Sequence, residues 1–257
     1  MNYDDIVDIV GKAGSIIRTA HESEIVVFSK PGDANFVTRC DKEVQSFLIN
    51  NLRRLVPGAN FLAEEDGIQQ DIKEGYCFII DPIDGTTNFI SDYRYSCISV
   101  ALTLDGKLEF AVVYNPYLDE MYTAIKGEGA KKNGCEIHVR EEGLAGSLTS
   151  FGAARYNTED ADQVFDYAKM LYQNSLAVRS GGSAALDLCR VAEGSTGVYF
   201  EMKLQPWDYA AAALILTEAG GFISTMEGQL ITLDAPCSIL AGNRPCWKET
   251  YKLFQGK

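Results

Sequence analysis

Histidine is nearly missing from this chain: only His21 and His138 occur in 257 residues. Metal sites and proton relays built on imidazole have little material here, so any metal chemistry falls to oxygen ligands. Paired cysteines are missing too. Cys40, Cys77, Cys97, Cys135, Cys189, Cys237 and Cys246 are odd in number, scattered and never spaced C-x-x-C. They read as reduced thiols filling a core, not as a disulfide framework or zinc site. No apolar run approaches the ~20 residues that span a bilayer, and Met1-Asn2-Tyr3-Asp4-Asp5 lacks the basic opening of a secretory signal. A cytoplasmic protein with no membrane partner is the expectation. Basic residues are the last shortage: 23 Lys and Arg face 36 Asp and Glu, for a net charge of −13. That balance argues against a nucleic-acid surface. It also means that an anionic ligand would need bound cations or oriented backbone amides to offset the repulsion.

What is present is ample apolar material, 46% of the chain, enough for a buried core. Ile6, Val7, Ile9, Val10, Ala13, Ile16 and Ile17 recur at helical spacing over residues 4–20. Asp41 sits before a second periodic run, Val44, Phe47, Leu48, Leu52 and Leu55, stopped near Pro57-Gly58. Between these helices, residues 24–29 and 36–38 have strand composition around the turn residues Pro31-Gly32-Asp33. From Cys77 the pattern becomes a sheet: residues 78–80, then 97–104, an Asp105-Gly106 hairpin turn, 108–114 and 121–125. A seam at Glu141-Glu142-Gly143 divides a single unit, 1–257, into an antiparallel-sheet half, 1–141, and an α/β half, 142–257. In the latter, strands at 147–151, 176–179 and 197–200 alternate with helices at 161–173, 184–193 and 209–219. Residues 127–134 lack phosphate-loop spacing and read as a hairpin connection, and 247–254 as a surface helix.

Three acidic clusters follow apolar or turn segments. Asp81-Pro82-Ile83-Asp84-Gly85-Thr86-Thr87 comes directly after Phe78-Ile79-Ile80. There two carboxylates and a run of small residues can converge, with backbone N–H groups facing one cavity. Each dipeptide alone is also an ordinary turn. Glu64-Glu65-Asp66 follows Phe61-Leu62-Ala63, and Pro206-Trp207-Asp208 opens an alanine-rich helix. Asp208 there can equally serve the helix dipole, and Asp41 can be a helix N-cap. Gly181-Gly182-Ser183-Ala184, between strand and helix, suits either an anion or hydroxyl site or a tight turn.

Taken together, Phe61-Leu62-Ala63-Glu64-Glu65, the nine residues from Asp81 to Phe89, and Trp207-Asp208-Tyr209-Ala210-Ala211 resemble the signature motifs of the inositol monophosphatase family. Glu201-Met202 upstream and Thr217-Glu218-Ala219-Gly220-Gly221 downstream extend the resemblance over essentially the whole chain. It implies a layered αβαβα sandwich of mixed α+β and α/β type and a site for two or three Mg²⁺ ions. Glu64, Asp81 and the Ile83 carbonyl would hold one ion, and Asp81, Asp84 and Asp208 a second, with Glu65 beside them. Asp41 and Thr86, with Glu64, would activate the attacking water. Gly85 and Thr86 amides would meet phosphate oxygens, and Gly182, Ser183, Ala184 and Glu201, with Asp84 and Asp208, would contact the substrate. A homodimer and lithium sensitivity are further implications. The substrate class implied is a small phosphorylated polyol or sugar, led by myo-inositol monophosphate. The rivals are fructose 1,6-bisphosphate, histidinol phosphate and 3′-phosphonucleotides, or a regulatory role in binding transcription machinery. Two departures bear on that choice: Arg94 stands where relatives carry proline, and Gly152-Ala153-Ala154-Arg155 differs from the segment in inositol-specific members.

Overall fold

The computed structural model describes residues 2–20, 26–30, 36–154 and 159–256. The expected turn at Pro31-Gly32-Asp33, the start of the 24–29 run and Arg155 lie outside the described residues. Helix α1, Asp4–Ala20, buries Ile6, Val10, Ala13 and Ile17 and carries Asp4 and Asp5 in its first turn and Arg18 in its last, each sign suiting the helix dipole. After the short antiparallel pair β1, Val27–Ser29, and β2, Phe36–Thr38, helix α2 spans Arg39–Leu55. Its N-cap is Thr38, not Asp41. Asp41 lies three residues in and closes a capping box, accepting from the Thr38 backbone N–H at 2.8 Å and from the Thr38 hydroxyl.

A seven-stranded sheet follows, in the order β3, Asn60–Ala63; β4, Tyr76–Asp84; β5, Cys97–Leu104; β6, Lys107–Asn115; β7, Glu120–Ile125; β8, Ala130–Lys132; β9, Cys135–Ile137. All neighbours are antiparallel except β3 and β4. The expected single connection at 127–134 is thus interrupted by β8. Strand β4 runs on past Ile80, and its register against β5 slips between Asp81 and Asp84. Such a bulge re-aims side chains.

Helix α3, Thr86–Ile90, ends this half's chemistry-bearing segment. Beyond the seam come β10, Leu148–Phe151; α4, Ala161–Asn174; β11, Ala177–Arg179; α5, Ala184–Ala192; β12, Val198–Leu204; α6, Pro206–Glu218; β13, Phe222–Ser224; β14, Cys237–Gly242; and α7, Arg244–Phe254. The second sheet has the order β11-β10-β12-β14-β13. Its first three strands are parallel, as the alternation predicts, but β14 runs antiparallel to both neighbours. Helix α6 starts three residues before the expected Tyr209, because Pro206 needs no N–H partner in a first turn.

Strand alternation sorts the core into layers. Phe78, Ile80, Ile98 and Val100 face α1 and α2, while Cys77, Ile79 and Ala101 face α5 and α6. The second sheet turns Tyr199, Ile239 and Ala241 to α5 and α6 and Val198, Phe200 and Leu240 to α4 and α7. The result is the expected αβαβα sandwich. Helix α6 lies in the middle layer with every residue from Tyr209 to Leu216 buried, which accounts for an apolar helix with no polar face. Four consecutive alanines let it sit close to the strands on either side.

An ion network ties the halves together. Arg190 on α5 reaches Glu120 at 2.6 Å and Glu193 at 2.8 Å, and Lys132 reaches the same two carboxylates at 2.6 and 2.7 Å. The Tyr122 hydroxyl donates to Glu193 at 2.9 Å. Burial opposes the charge of Glu193, but hydrogen bonds from Lys132, Arg190 and Ser195 prevail and hold its carboxyl down to about 2. A depressed carboxyl stabilises the fold fully above its unfolded pKa and loses that contribution as pH falls through the folded value. Glu193→Gln should therefore lower the unfolding free energy by about 1–3 kcal/mol at pH 7. The gap between the two proteins, read by urea denaturation, should persist down to pH ~4.5 and close toward pH ~2.

Candidate active site

The three acidic clusters converge where the carboxyl end of β4 meets the N-termini of α5 and α6. Asp81 is 2% exposed, and its Oδ1 accepts from the Ile83 N–H at 3.0 Å across the β4 bulge. Burial raises its carboxyl well above the usual range, and Glu64, Asp84 and Asp208 push in the same direction. Asp208, half-buried at the third position of α6, accepts from the Gln205 N–H at 2.7 Å. Burial, Asp84 and Glu64 raise its carboxyl too. Asp84 is raised to about 6, burial again leading. Like charges that raise one another must lie close together.

Asp84 couples the two halves of the chain. Its Oδ2 accepts from the Ser183 hydroxyl at 2.6 Å and the Ala185 N–H at 2.8 Å. Ser183 is also the N-cap of α5, so the loop 181–184 is brought directly against the β4 acids. Gly85 and Gly182 meet backbone to backbone. Gly85 has φ +87°, and a Cβ there would lie 3.0 Å from the Gly182 carbonyl and 3.1 Å from that of Tyr95. Asn88 locks this approach by donating to the Tyr95 and Gly181 carbonyls at 2.8 and 2.9 Å.

Thr86 stands next to these groups. Its hydroxyl lies 3.3 Å from Asp41 Oδ1 and donates to the Ile83 carbonyl at 3.1 Å. Asp41 is completely buried, and burial raises its carboxyl to about 6 against the opposing hydrogen bonds from Thr38. The N-cap reading of Asp41 is thus replaced by a double role, one oxygen in the capping box and the other toward Thr86. Glu64 and Glu65 share Lys30, at 2.7 and 2.6 Å. Glu65 is 3% exposed, and burial raises it to about 7. Gln45 of α2 fixes its backbone through a reciprocal pair of 2.9 Å hydrogen bonds. On β12, Glu201 is buried beside Asp84, accepts from the Tyr199 hydroxyl, and is raised by burial to about 8. Ala184, buried in the first turn of α5, completes the set of expected positions.

Lys30, Gln45, Asn88 and Tyr95 are site residues that sequence reasoning did not single out. Lys30 alone left a trace, as a cation just ahead of a turn in an acid-rich chain. Among the described residues no three acidic, histidine or cysteine side chains lie close enough together to hold a metal ion, and Lys30 bonds both Glu64 and Glu65. The donor chemistry nonetheless fits a hard divalent cation. Glu64, Asp81, Asp84 and Asp208 lie close together with only oxygen donors, and the raised carboxyls of Asp81, Asp84 and Asp208 mark an uncompensated negative charge.

A fold of this layering, with carboxylates gathered at the junction of two sheets, defines the class. Residues 4–255 match the model of the inositol monophosphatase family, and the chain belongs to that family. It is 33% identical over 258 residues to inositol monophosphatase 1 of Bos taurus, covering 98% of this chain and 93% of that protein. It is 35% identical over 219 residues to Nus factor SuhB of Escherichia coli strain K12, covering 84% and 82%. Among solved structures, an IMPase/NADP phosphatase complexed with Mg²⁺ and phosphate superposes with a TM-score of 0.87 at 27% identity, covering 96% of this chain and 92% of the other.

The crowding at Gly85 is directly testable. Gly85→Ala places a side chain at left-handed φ against two carbonyls, and should cost at least about 1 kcal/mol of stability in thermal or urea unfolding.

Proposed function

We propose that this chain is a Mg²⁺-dependent phosphomonoesterase acting on a small polyol or sugar phosphate, with myo-inositol monophosphate the first substrate to try. The observation that carries this reading is the convergence of Glu64, Asp81, Asp84 and Asp208 beside the Asp41–Thr86 pair. Family membership and the Mg²⁺ and phosphate of a structural neighbour support it.

In this reading Glu64, Asp81 and the Ile83 carbonyl would hold one ion, and Asp81, Asp84 and Asp208 another. Bound Mg²⁺ supplies charge neutralisation at the phosphoryl group and acidifies water. The rest is done by the chain. The Thr86 hydroxyl orients a water, and Asp41, its carboxyl raised toward neutrality by burial, takes that water's proton. Gly85 and Thr86 amides face phosphate oxygens. Ser183 and Ala185 keep Asp84 in place, and Glu201 accepts from a substrate hydroxyl.

Phosphate release with Mg²⁺ tests the reading. Asp84→Asn and Asp208→Asn should each lose at least about 100-fold in kcat/KM while staying folded; activity near wild type would remove that residue from the site. A panel of inositol, fructose, histidinol and nucleotide phosphates decides the substrate, a tenfold preference for any of the last three overturning inositol.

Stability gives a second, independent readout. A carboxyl raised by burial and like charge destabilises the fold when ionised, so in EDTA at pH 7 Asp208→Asn should melt at a higher temperature than wild type. Added Mg²⁺ should stabilise wild type more than the variant. Identity to a Nus factor favours a regulatory role as a second reading; binding of purified RNA polymerase by the Asp84→Asn protein would support it, and no binding would end it.

A further inference from the structure

Asp187, in the first turn of α5, is a buried carboxyl that the reaction as described does not use. An acid in a first turn commonly serves the helix dipole from the surface, but Asp187 is only 4% exposed. Burial leads in raising its carboxyl to about 7, with the charge of Asp84 adding and the Tyr95 hydroxyl and Gly181 amide opposing. Leucine would fill the same space without that cost. What the carboxyl gains is one long-range bond: Oδ1 accepts from the Tyr95 hydroxyl, 92 residues away in the chain, at 2.9 Å.

That bond closes a ring around the loop ahead of α5. Tyr95 is held at both ends, its hydroxyl by Asp187 and its carbonyl by Asn88, and Asn88 also holds the Gly181 carbonyl at 2.9 Å. Gly181 lies directly on the pair: a Cβ there would be 2.5 Å from Asp187 Oδ1 and 2.5 Å from Tyr95 Cε1. The Asp187 N–H donates to the Ser183 carbonyl at 3.0 Å, and the Ser183 hydroxyl donates to Asp84 at 2.6 Å. A motion of this loop is therefore a motion of the donor that fixes Asp84. The chain reaches Tyr95 through a bent segment in which Asp92 and Arg94 both take left-handed φ, +49° and +61°. Such strained turns persist where their surroundings hold them, and the two anchors of Tyr95 do so here.

We propose that Tyr95 and Asp187 are positioning residues for Asp84. Their hydrogen bond pins the loop 181–184, and the pinned loop keeps the Ser183 hydroxyl and the Ala185 N–H on the Asp84 carboxylate. The inference rests on the phosphomonoesterase reading above for the Mg²⁺ that Asp84 would bind, and adds what holds that ligand still. Partners that orient a metal ligand set how tightly the ion is held. Loss of the pair would let Asp84 turn, weakening the metal and slowing the reaction more than it weakens substrate.

The test uses the full chain, with Mg²⁺ affinity by calorimetry beside phosphate release from the ester turned over fastest in the panel above. Tyr95→Phe, which removes only the hydroxyl, and Asp187→Leu, which removes the acceptor, should each raise the Mg²⁺ Kd about fivefold or more. At saturating Mg²⁺, kcat should fall by a similar factor while KM stays within about twofold. Asp187→Asn keeps an acceptor oxygen for Tyr95 and should stay near wild type in all three. Because the two residues act as one unit, the double variant Tyr95→Phe/Asp187→Leu should be no worse than the worse single. Wild-type Mg²⁺ affinity and kcat in the folded single variants, or losses that multiply in the double, overturn the inference; a purely structural pair would lower only the melting temperature. Absence of hydrolysis by a wild type that binds Mg²⁺ removes the phosphatase reading, while the Kd difference still supports the positioning role. A wild type that binds no Mg²⁺ removes both.

Discussion

Everything at this site depends on holding carboxylates together that repel one another. Asp41, Asp81, Asp84 and Asp208 meet the problem in the same way, each tying one oxygen to a backbone N–H. Asp41 spends Oδ2 on the α2 capping box and turns Oδ1 to Thr86. Asp81 ties Oδ1 to Ile83 N–H, Asp84 ties Oδ2 to α5, and Asp208 ties Oδ2 to Gln205 N–H in the first turn of α6. Backbone amides at a bulge and at helix starts are fixed and polar, so they hold the charges in place, assisted at Asp41 and Asp84 by the Thr38 and Ser183 hydroxyls.

The layering follows from that requirement. The acids come from β4, α2 and α6, and Glu201 from β12, so a site between the two sheets needs a middle layer thin enough to bring β4 and β12 near each other. Alanine-rich α6 and the small residues of α5 supply that thinness, with almost every side chain buried. The Arg190–Glu120–Glu193–Lys132 network then closes the other end of α5 against β7 and β8. Helix α5 is thus fixed at both ends, by Asp84 at its start and by this network at its finish.

Much of this was legible in the sequence, and the misses have physical causes. Helical periodicity located α1, α4 and α5 to within a residue or two, and Asp-Gly at 105–106 located a hairpin, because both signals are local. Strands β13 and β14 are short, lack clear alternation and are specified by pairing with distant β12, so nothing local announced them. Asp41 and Asp208 were ambiguous between cap and catalyst because they are capping residues in fact, and a single sequence cannot display the second oxygen. Gln45 left no signal at all and Lys30 only the trace of a lone cation, since their significance lies in partners 20 and 35 residues away.

The same geometry resolves the tension between a net charge of −13 and an anionic substrate. A surface that is acidic throughout would repel phosphate, but the carboxyls of Asp81, Asp84 and Asp208 are raised by burial and by neighbouring carboxylates, so their charge acts mainly inside the site. Lys30 already sits between Glu64 and Glu65 as the one ammonium bonded to these acids among the described residues. Attraction for the phosphoryl group would then be gained locally with the metal, while Glu201, buried on β12, would meet the alcohol. Reaction class and substrate choice would then rest on different residues, the acidic clusters for the first and the neighbourhood of Glu201 for the second.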